Sequence, residues 1–322
     1  MMRSDARQDL GAGMAWIPGG RFRMGSDRHY AEEAPSHEVR VDGFWIDRVP
    51  VTNAEFARFV AATNYTTLAE VAPDPQAYPG ADPAMLVPGS LVFRPPPARM
   101  RNPGWGDWWS FVPGASWERP DGIDDLARDA LGHPVVHVCA ADVEAYAAWA
   151  GKRLPNEAEW EFAARGGLEG AEFAWGDTFM PAGQRMANTW PGEFPHLSEP
   201  GENRYGTSRV GAFPPNGYGL ADMIGNVWEW TSDWWTSHHP SDAAKRCCIP
   251  RNPKTLDPES SFDPAQPGIA IPRKVLKGGS HLCAPNYCRR YRPAARHPQM
   301  VDSGTSNIGF RCATDAPARS YK

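Results

Sequence analysis

"AADVEAYAAWAGKRLPNEAEWEFAARGG", residues 140–167, decides the fold class. Two helices are written in it, one over "AADVEAYAAWAG" and one over "PNEAEWEFAARGG". In the second, Asn156 stands at the cap with Glu159 three residues on, the capping-box pattern. Gly166-Gly167 then stop it, because glycine accepts the left-handed turn that ends a helix. A third helix lies upstream in "VTNAEFARFVAATN" (51–64), where Thr52 caps and Glu55 reaches back. There Phe56, Phe59 and Val60 form an apolar face at i, i+3 and i+4. Past Gly167 the helical signal ends, and residues 170–275 read as turns and short strands. Strand text brackets the helices: "MAWIPGGRFRMGS" (14–26), "HEVRVDGFWIDRVPV" (37–51), "RKVLKGGS" (273–280) and "NIGFRCATD" (307–315). The expectation is an α+β fold with much irregular structure: a flexible terminus over 1–13, then a single domain over 14–322.

Composition supports packing over disorder. Glycine (31) and proline (33) make up about a fifth of the 322 residues, short of the low-complexity range, and 14 tryptophans are spread along the chain. Loops pinned by large aromatics are the expected outcome. The segment "RNPGWGDWWSFVPGASWERPDG" (101–122) carries four of those tryptophans. For an isolated tryptophan, core is the favoured fate; clustered on a Gly/Pro-rich loop, they could instead line a groove for an extended peptide. A formal net charge of -5 gives no basic stripe for nucleic acid and no polybasic patch for a membrane. The opening residues lack the apolar core of a secretory signal, and no apolar run reaches membrane-span length. The expected location is cytoplasmic, where thiols stay reduced. The six cysteines (139, 247, 248, 283, 288 and 312) are irregularly spaced, unlike a disulfide framework. Cys247 and Cys248 read as part of a polar surface loop.

The chemistry concentrates in "KGGSHLCAPNYCRRYRPAAR" (277–296). Cys283 and Cys288 are five apart, a step of roughly 140° on a helix and opposite faces on a strand. They meet only if "APNY" turns, and Pro285-Asn286 is turn chemistry. The spacing is not the C-x-x-C of redox or zinc motifs, and His281 is the one further zinc-type ligand close by. Two soft thiolates suit Cu(I), and Arg289, Arg290, Arg292 and Arg296 would favour ionised sulfur. The alternative is two ordinary reduced cysteines in a loop.

That stretch, with "SGTSNIGFRCA" (303–313), closely resembles the C-terminal signature of the formylglycine-generating enzymes. "MAWIPGGRFRMGS", "HPVVHVCAADVEAYAAWAGKRLPNEAEWEFAARGG" and "FPPNGYGLADMIGNVWEWTSDWW" also match, so the resemblance runs from about Met14 to Ala313. It implies the sulfatase-modifying-factor fold with a C-type-lectin-like core. It further implies oxidation, with O2, of the cysteine in a C-x-P-x-R segment of an unfolded sulfatase to Cα-formylglycine. Cys283 and Cys288 then become Cu(I) ligands. Ser280 falls beside the oxygen pocket, Trp228 walls it, and Tyr287 and Asn307 lie close. Core packing for Trp228 and a turn amide for Asn307 are the competing roles.

Structural Ca2+ is also implied, at Asn188, Thr189, Asn203 and Tyr205 and at Asp222, Gly225, Val227 and Glu229. Asn203 stands where an Asp is expected; Asx turns without metal are the alternative at both sets. Ala148, Ala164 and Pro293 occupy positions where secreted animal members carry disulfide cysteines, which leaves Cys139 and Cys312 as buried free thiols. The expected protein is a monomer. An iron-dependent sulfoxide-synthase-like enzyme and a non-catalytic ligand-binding module of the same fold are the alternative functions. An acidic group should meet the Arg of the client segment; Glu70, Asp74 and Asp107 are equal candidates.

Overall fold

The computed structural model describes residues 13–96, 104–196, 205–240, 243 and 249–315. Residues 1–12 of the expected flexible stretch 1–13, Asn203, Cys247 and Cys248 lie outside them. In chain order come β1 (Met14–Ile17), β2 (Gly20–Met24), β3 (His37–Val41), β4 (Phe44–Asp47) and α1 (Asn53–Thr63). There follow β5 (Gly89–Phe93), β6 (Trp109–Pro113), α2 (Ala140–Trp149) and α3 (Glu157–Arg165). The chain closes with β7 (Trp228–Trp234), β8 (Arg273–Lys277), β9 (Arg296–Met300), β10 (Ile308–Gly309) and β11 (Ala313–Asp315). The architecture is α+β.

Helix caps form where the residues call for them. Thr52 accepts from the Glu55 N–H while the Glu55 side chain accepts from Thr52, and Asn156 and Glu159 do the same for α3. Gly166 ends α3 in the left-handed region at φ 60°. Phe56 and Phe59 are buried and pack on each other, on Trp117 and on Tyr146.

Sheet topology brings the two ends of the chain together. β4 is central in a three-stranded antiparallel sheet, with β1 on one side and β11 on the other. A four-stranded sheet runs β10-β7-β8-β9, with β10 parallel to β7 and the other pairs antiparallel. α3 packs against β2, β3, β7 and β8 and is buried along its whole length. Its carboxylates are therefore answered by buried cations. Lys277 Nζ lies 3.0 Å from Glu161, Arg296 forks onto Glu157 at 2.8 and 2.9 Å, and Arg165 pairs with Glu161 at 2.7 Å. Removing one partner from such a pair leaves a charge stranded in low dielectric, the costly case.

The β5–β6 hairpin stands apart, registered Ser90 to Val112 and Phe93 to Trp109. Its base joins a satellite apolar cluster of Phe93, Trp108, Trp190, Phe194, Leu282 and Ala284. This cluster stands beside the segment that leaves β8.

Candidate active site

β8 delivers Lys277 to the core and the chain then turns through Gly278 and Gly279, both at positive φ (94° and 70°). A Cβ on Gly278 would come 2.8 Å from the Met223 carbonyl oxygen, and one on Gly279 2.8 Å from that of Arg290. Glycine is obligatory at both, and the bend aims the next residues back over the sheet. Cys283 N–H donates to the Ser280 carbonyl at 3.0 Å, and the N–H groups of Tyr287 and Cys288 both reach the Ala284 carbonyl, at 3.2 and 3.0 Å. The "APNY" segment is thus a turn, and it brings Cys283 Sγ to 3.2 Å from Cys288 Sγ. That is well beyond the ~2.05 Å of a disulfide, and both are free thiols.

The two sulfurs differ in environment. Cys283 is buried; burial, with the hydrogen bond to Cys288, pushes its thiol well above the ordinary range. The Cys288 thiol is held below its ordinary value, chiefly by the Cys283 hydrogen bond and next by the Arg290 charge, against the opposing cost of burial. The pair is arranged to share one proton, with the negative charge resting on Cys288.

Of the four arginines expected to bear on the pair, Arg290 alone acts there. It lines the cleft, packs its guanidinium 3.8 Å from the Tyr30 ring centre and pairs with Glu32. Arg292 is spent on buried Glu33 and Arg296 on Glu157, while Arg289 pairs with Glu172 at 2.8 Å. These cations were misjudged because their partners are far away in sequence.

Both thiols open on a cleft of about 710 Å³. Ser280, Trp228, Tyr287 and Asn307 all line it, so the six residues expected around the reaction are gathered in one place. Asn307 Nδ2 donates to Ser280 Oγ at 2.9 Å, and Thr305 Oγ1 donates to Asn307 Oδ1 at 2.6 Å. Trp228 is held by the β7–β10 pairing, its N–H on the Asn307 carbonyl at 2.9 Å, and its ring stacks 5.4 Å from His297. Trp228 is therefore both sheet core and cleft wall.

Opposite it stand aromatics the sequence left unsorted. Trp108 and Trp109 line the cleft, whereas Trp117 is core. Tyr287, 49 % exposed, stacks on Phe194 at 4.2 Å and meets Trp108 edge-on at 5.5 Å. Asn286 fixes Phe194 through both its backbone groups, at 3.2 and 2.9 Å. Phe194 and Asn286 escaped sequence reasoning because 92 residues separate them.

His281 sets its Nδ1 2.8 Å from the Asn226 carbonyl. Among the described residues, no three His, Cys, Asp or Glu side chains gather for a metal. Two soft sulfurs converging beside open space do suit a cuprous ion.

The calcium sets are less complete. The Thr189 carbonyl accepts from Arg185 at 2.8 Å, the Asn188 amide nitrogen donates to Gly206, and Tyr205 lies at the surface. In the second set Asp222 keeps a buried Oδ1 without a partner, its Oδ2 accepting from the Gly211 N–H at 2.6 Å. Glu229, however, gives its oxygens to Arg311 at 2.7 and 2.8 Å and to Trp160 at 2.7 Å. Asn203 of the first set lies outside the described residues, and in the second the unpartnered Asp222 Oδ1 is the oxygen a cation would engage.

The candidate seats for the client's arginine prove to be local turn makers. Glu70 closes a capping box on Thr67, and Asp74 and Asp107 accept from the N–H groups of Gln76 and Gly104. Cys139 and Cys312 are buried free thiols, and burial pushes Cys139 up to about 12.

Comparison with known proteins shows the family to which the chain is related. Residues 1–316 match the model of the sulfatase-modifying factor enzyme 1-like domain. The chain is 53% identical over 300 residues to the formylglycine-generating enzyme of Mycobacterium tuberculosis, covering 93% of this chain and 96% of that one. It is 44% identical over 306 residues to the formylglycine-generating enzyme of Mus musculus, covering 94% and 75%. Among solved structures, PvdO from Pseudomonas aeruginosa superposes with a TM-score of 0.60 at 23% identity, covering 94% of each chain, a likeness of fold.

Proposed function

The chain belongs to the sulfatase-modifying factor enzyme 1-like family, and on that footing we propose that it oxidises the cysteine of a C-x-P-x-R segment in an unfolded sulfatase to Cα-formylglycine. The observation that carries this reading is the free thiol pair, 3.2 Å apart, opening on a cleft large enough for a peptide.

The overall chemistry balances with O2 and an external thiol. The client's CH2–SH becomes CH=O and its sulfur leaves as sulfide. O2 takes two electrons from that carbon and two from two external thiols; in the balance one oxygen atom stands in the aldehyde and one in water, and the thiols end as a disulfide. Triplet O2 reacts sluggishly with closed-shell thiols. A Cu(I) ion held by Cys283 and Cys288 would supply the one-electron chemistry that this spin mismatch demands.

The chain's own residues do the rest. In the metal-free pair Cys283 shares a proton with its neighbour and Cys288 carries the more acidic sulfur at the cleft; binding of Cu(I) would displace that proton. Ser280, fixed by Asn307, offers a polar corner beside the thiols, where a small polar reactant can be oriented. Trp228 and Tyr287 line the same cleft and supply its aromatic wall beside that corner.

The reading extends to a monomer that works as one catalytic unit over 14–322 in the cytoplasm. The free thiols Cys139, Cys283, Cys288 and Cys312 suit a reducing compartment. No described helix is long and apolar enough to cross a membrane. Structural Ca2+ at Asn188, Thr189, Asn203 and Tyr205 and at Asp222, Gly225, Val227 and Glu229 belongs to the same reading, supported at the second set by the buried Asp222 Oδ1 that has no hydrogen-bond partner.

The test is direct. Protein loaded with Cu(I) is incubated with O2, an external thiol and a C-x-P-x-R peptide, and aldehyde is trapped with an aminooxy reagent. Aldehyde with wild type and none with the Cys283→Ser/Cys288→Ser protein is expected. Peptide recovered intact from the copper-loaded protein would overturn the proposal.

A further inference from the structure

A second concavity of about 320 Å³ lies on the far side of the thiol turn. Phe179, Met180, Met186, Trp190, Pro191 and Pro285 supply its apolar walls. Arg185 is the one charged residue lining it, and its guanidinium is turned onto the Thr189 carbonyl at 2.8 Å. With no carboxylate and no set of converging donors in its lining, it has nothing to orient a metal or a polar small molecule. What it offers is apolar surface open to solvent, Met180 being 42 % exposed at the rim over a buried Trp190.

The concavity and the catalytic cleft share one partition. Pro285 sits inside the turn that joins Cys283 to Cys288. Trp190 donates its N–H to the Cys283 carbonyl at 3.0 Å, and its ring meets Phe194 at 5.2 Å. Phe194 in turn lines the cleft and stacks on Tyr287. Along the backbone, Pro285 is two residues from Cys283 and three from Cys288, a reach of at most about 7 to 11 Å. An extended polypeptide covers that in two to four residues. The walls are preorganised: prolines at 191 and 285 and a tryptophan packed from behind lose little entropy when a guest arrives.

We infer that this groove is a second docking site for the client polypeptide, taking one apolar side chain a few residues outside the C-x-P-x-R segment. The inference rests on the oxidase reading, which supplies the client. Pro285 and Trp190 put the groove within a few residues' reach of the cleft, and side chains of an extended strand enter such pockets by alternation.

The experiment compares the minimal C-x-P-x-R peptide with versions extended by roughly four residues on either flank, the span set by the backbone reach. Flank positions carry Leu, Phe, Gly or Asp. On one flank, Leu or Phe at a single position should lower KM roughly 10-fold relative to Gly, as burial of one large apolar side chain allows, with kcat little changed. Met180→Asp, and separately Met180→Trp, which fills the groove without a charge, should each erase that gain. Turnover of the minimal peptide by the same variants reports an intact cleft. Equal KM for Leu and Gly flanks, or a gain that survives both variants, would overturn the groove assignment alone. If the minimal peptide is not converted, the oxidase reading fails instead. Fluorescence anisotropy of the labelled Leu-flanked peptide, with and without Met180→Asp, then still decides the groove.

Discussion

Asn307 shows how much one side chain can be asked to do here. Its amide takes a hydrogen bond from Thr305 at 2.6 Å and gives one to Ser280 at 2.9 Å, while its carbonyl holds the Trp228 N–H. Asn307→Ala cuts the link from the 305–307 loop to Ser280. We expect a 10- to 100-fold fall in aldehyde formation, about the cost of losing an outer partner of a reactive group, with a circular-dichroism spectrum like wild type. The thiols can be separated from each other by the same logic. Cys283 is buried, so Cys283→Ser places a hydroxyl in an apolar site at a cost of about 1–3 kcal/mol. Cys288 is half-buried at the cleft, and Cys288→Ser should cost much less stability while abolishing turnover just as fully. Urea midpoints read beside activity and bound copper distinguish chemistry from folding: activity lost only in proportion to stability would make the pair structural.

At the scale of elements, α3 is the most demanding segment. Asn156→Ala removes its buried cap and should cost about 1 kcal/mol. Gly166→Ala should cost more, because the residue sits at φ 60° and its Cβ would lie 2.8 Å from the Gly217 nitrogen. Urea midpoints of the two variants give the order; Gly166→Ala milder than Asn156→Ala would contradict it. These same features made α1 and α3 legible in the sequence, since caps and stops are local signals. The thiol turn was legible for the same reason.

What stayed hidden depended on partners distant in sequence. β5 and β9 pair through contacts that "GSLVF" and "RHPQM" do not announce, and β6 was concealed in a segment read as a tryptophan-rich loop. Trp108 and Trp109 could be sorted from Trp117 only once the hairpin was folded. The buried pairing of the α3 carboxylates was hidden because their cations, Lys277 and Arg296, arrive more than a hundred residues later.

Across the whole molecule, buried titratable groups set how the protein meets acid. His137 and His239 are buried, each leaves Nε2 without a partner, and burial pushes them down to about 4 and about 3. A histidine whose folded pKa is lowered contributes stability that is complete above its unfolded value near 6.5. That contribution is lost as pH falls, because the unfolded chain binds the proton first. Asp233 works the other way. Burial, with Glu157 close by, raises it to about 6, so its carboxylate penalises the fold above that pH and the penalty fades towards pH 4. Near pH 5 each of these two histidines forfeits about 2 kcal/mol and Asp233 returns about 1 kcal/mol, while His281 and His297, also pushed down to about 4 by burial, act in the histidines' direction. The histidines win, and the fold should lose stability between pH 8 and pH 5. Urea midpoints at the two pH values measure the drop, and His239→Gln, which cannot gain a proton, should shrink it by about 2 kcal/mol. A midpoint equal at pH 5 and pH 8, or a drop untouched by His239→Gln, would mean that these imidazoles are not kept neutral by the core.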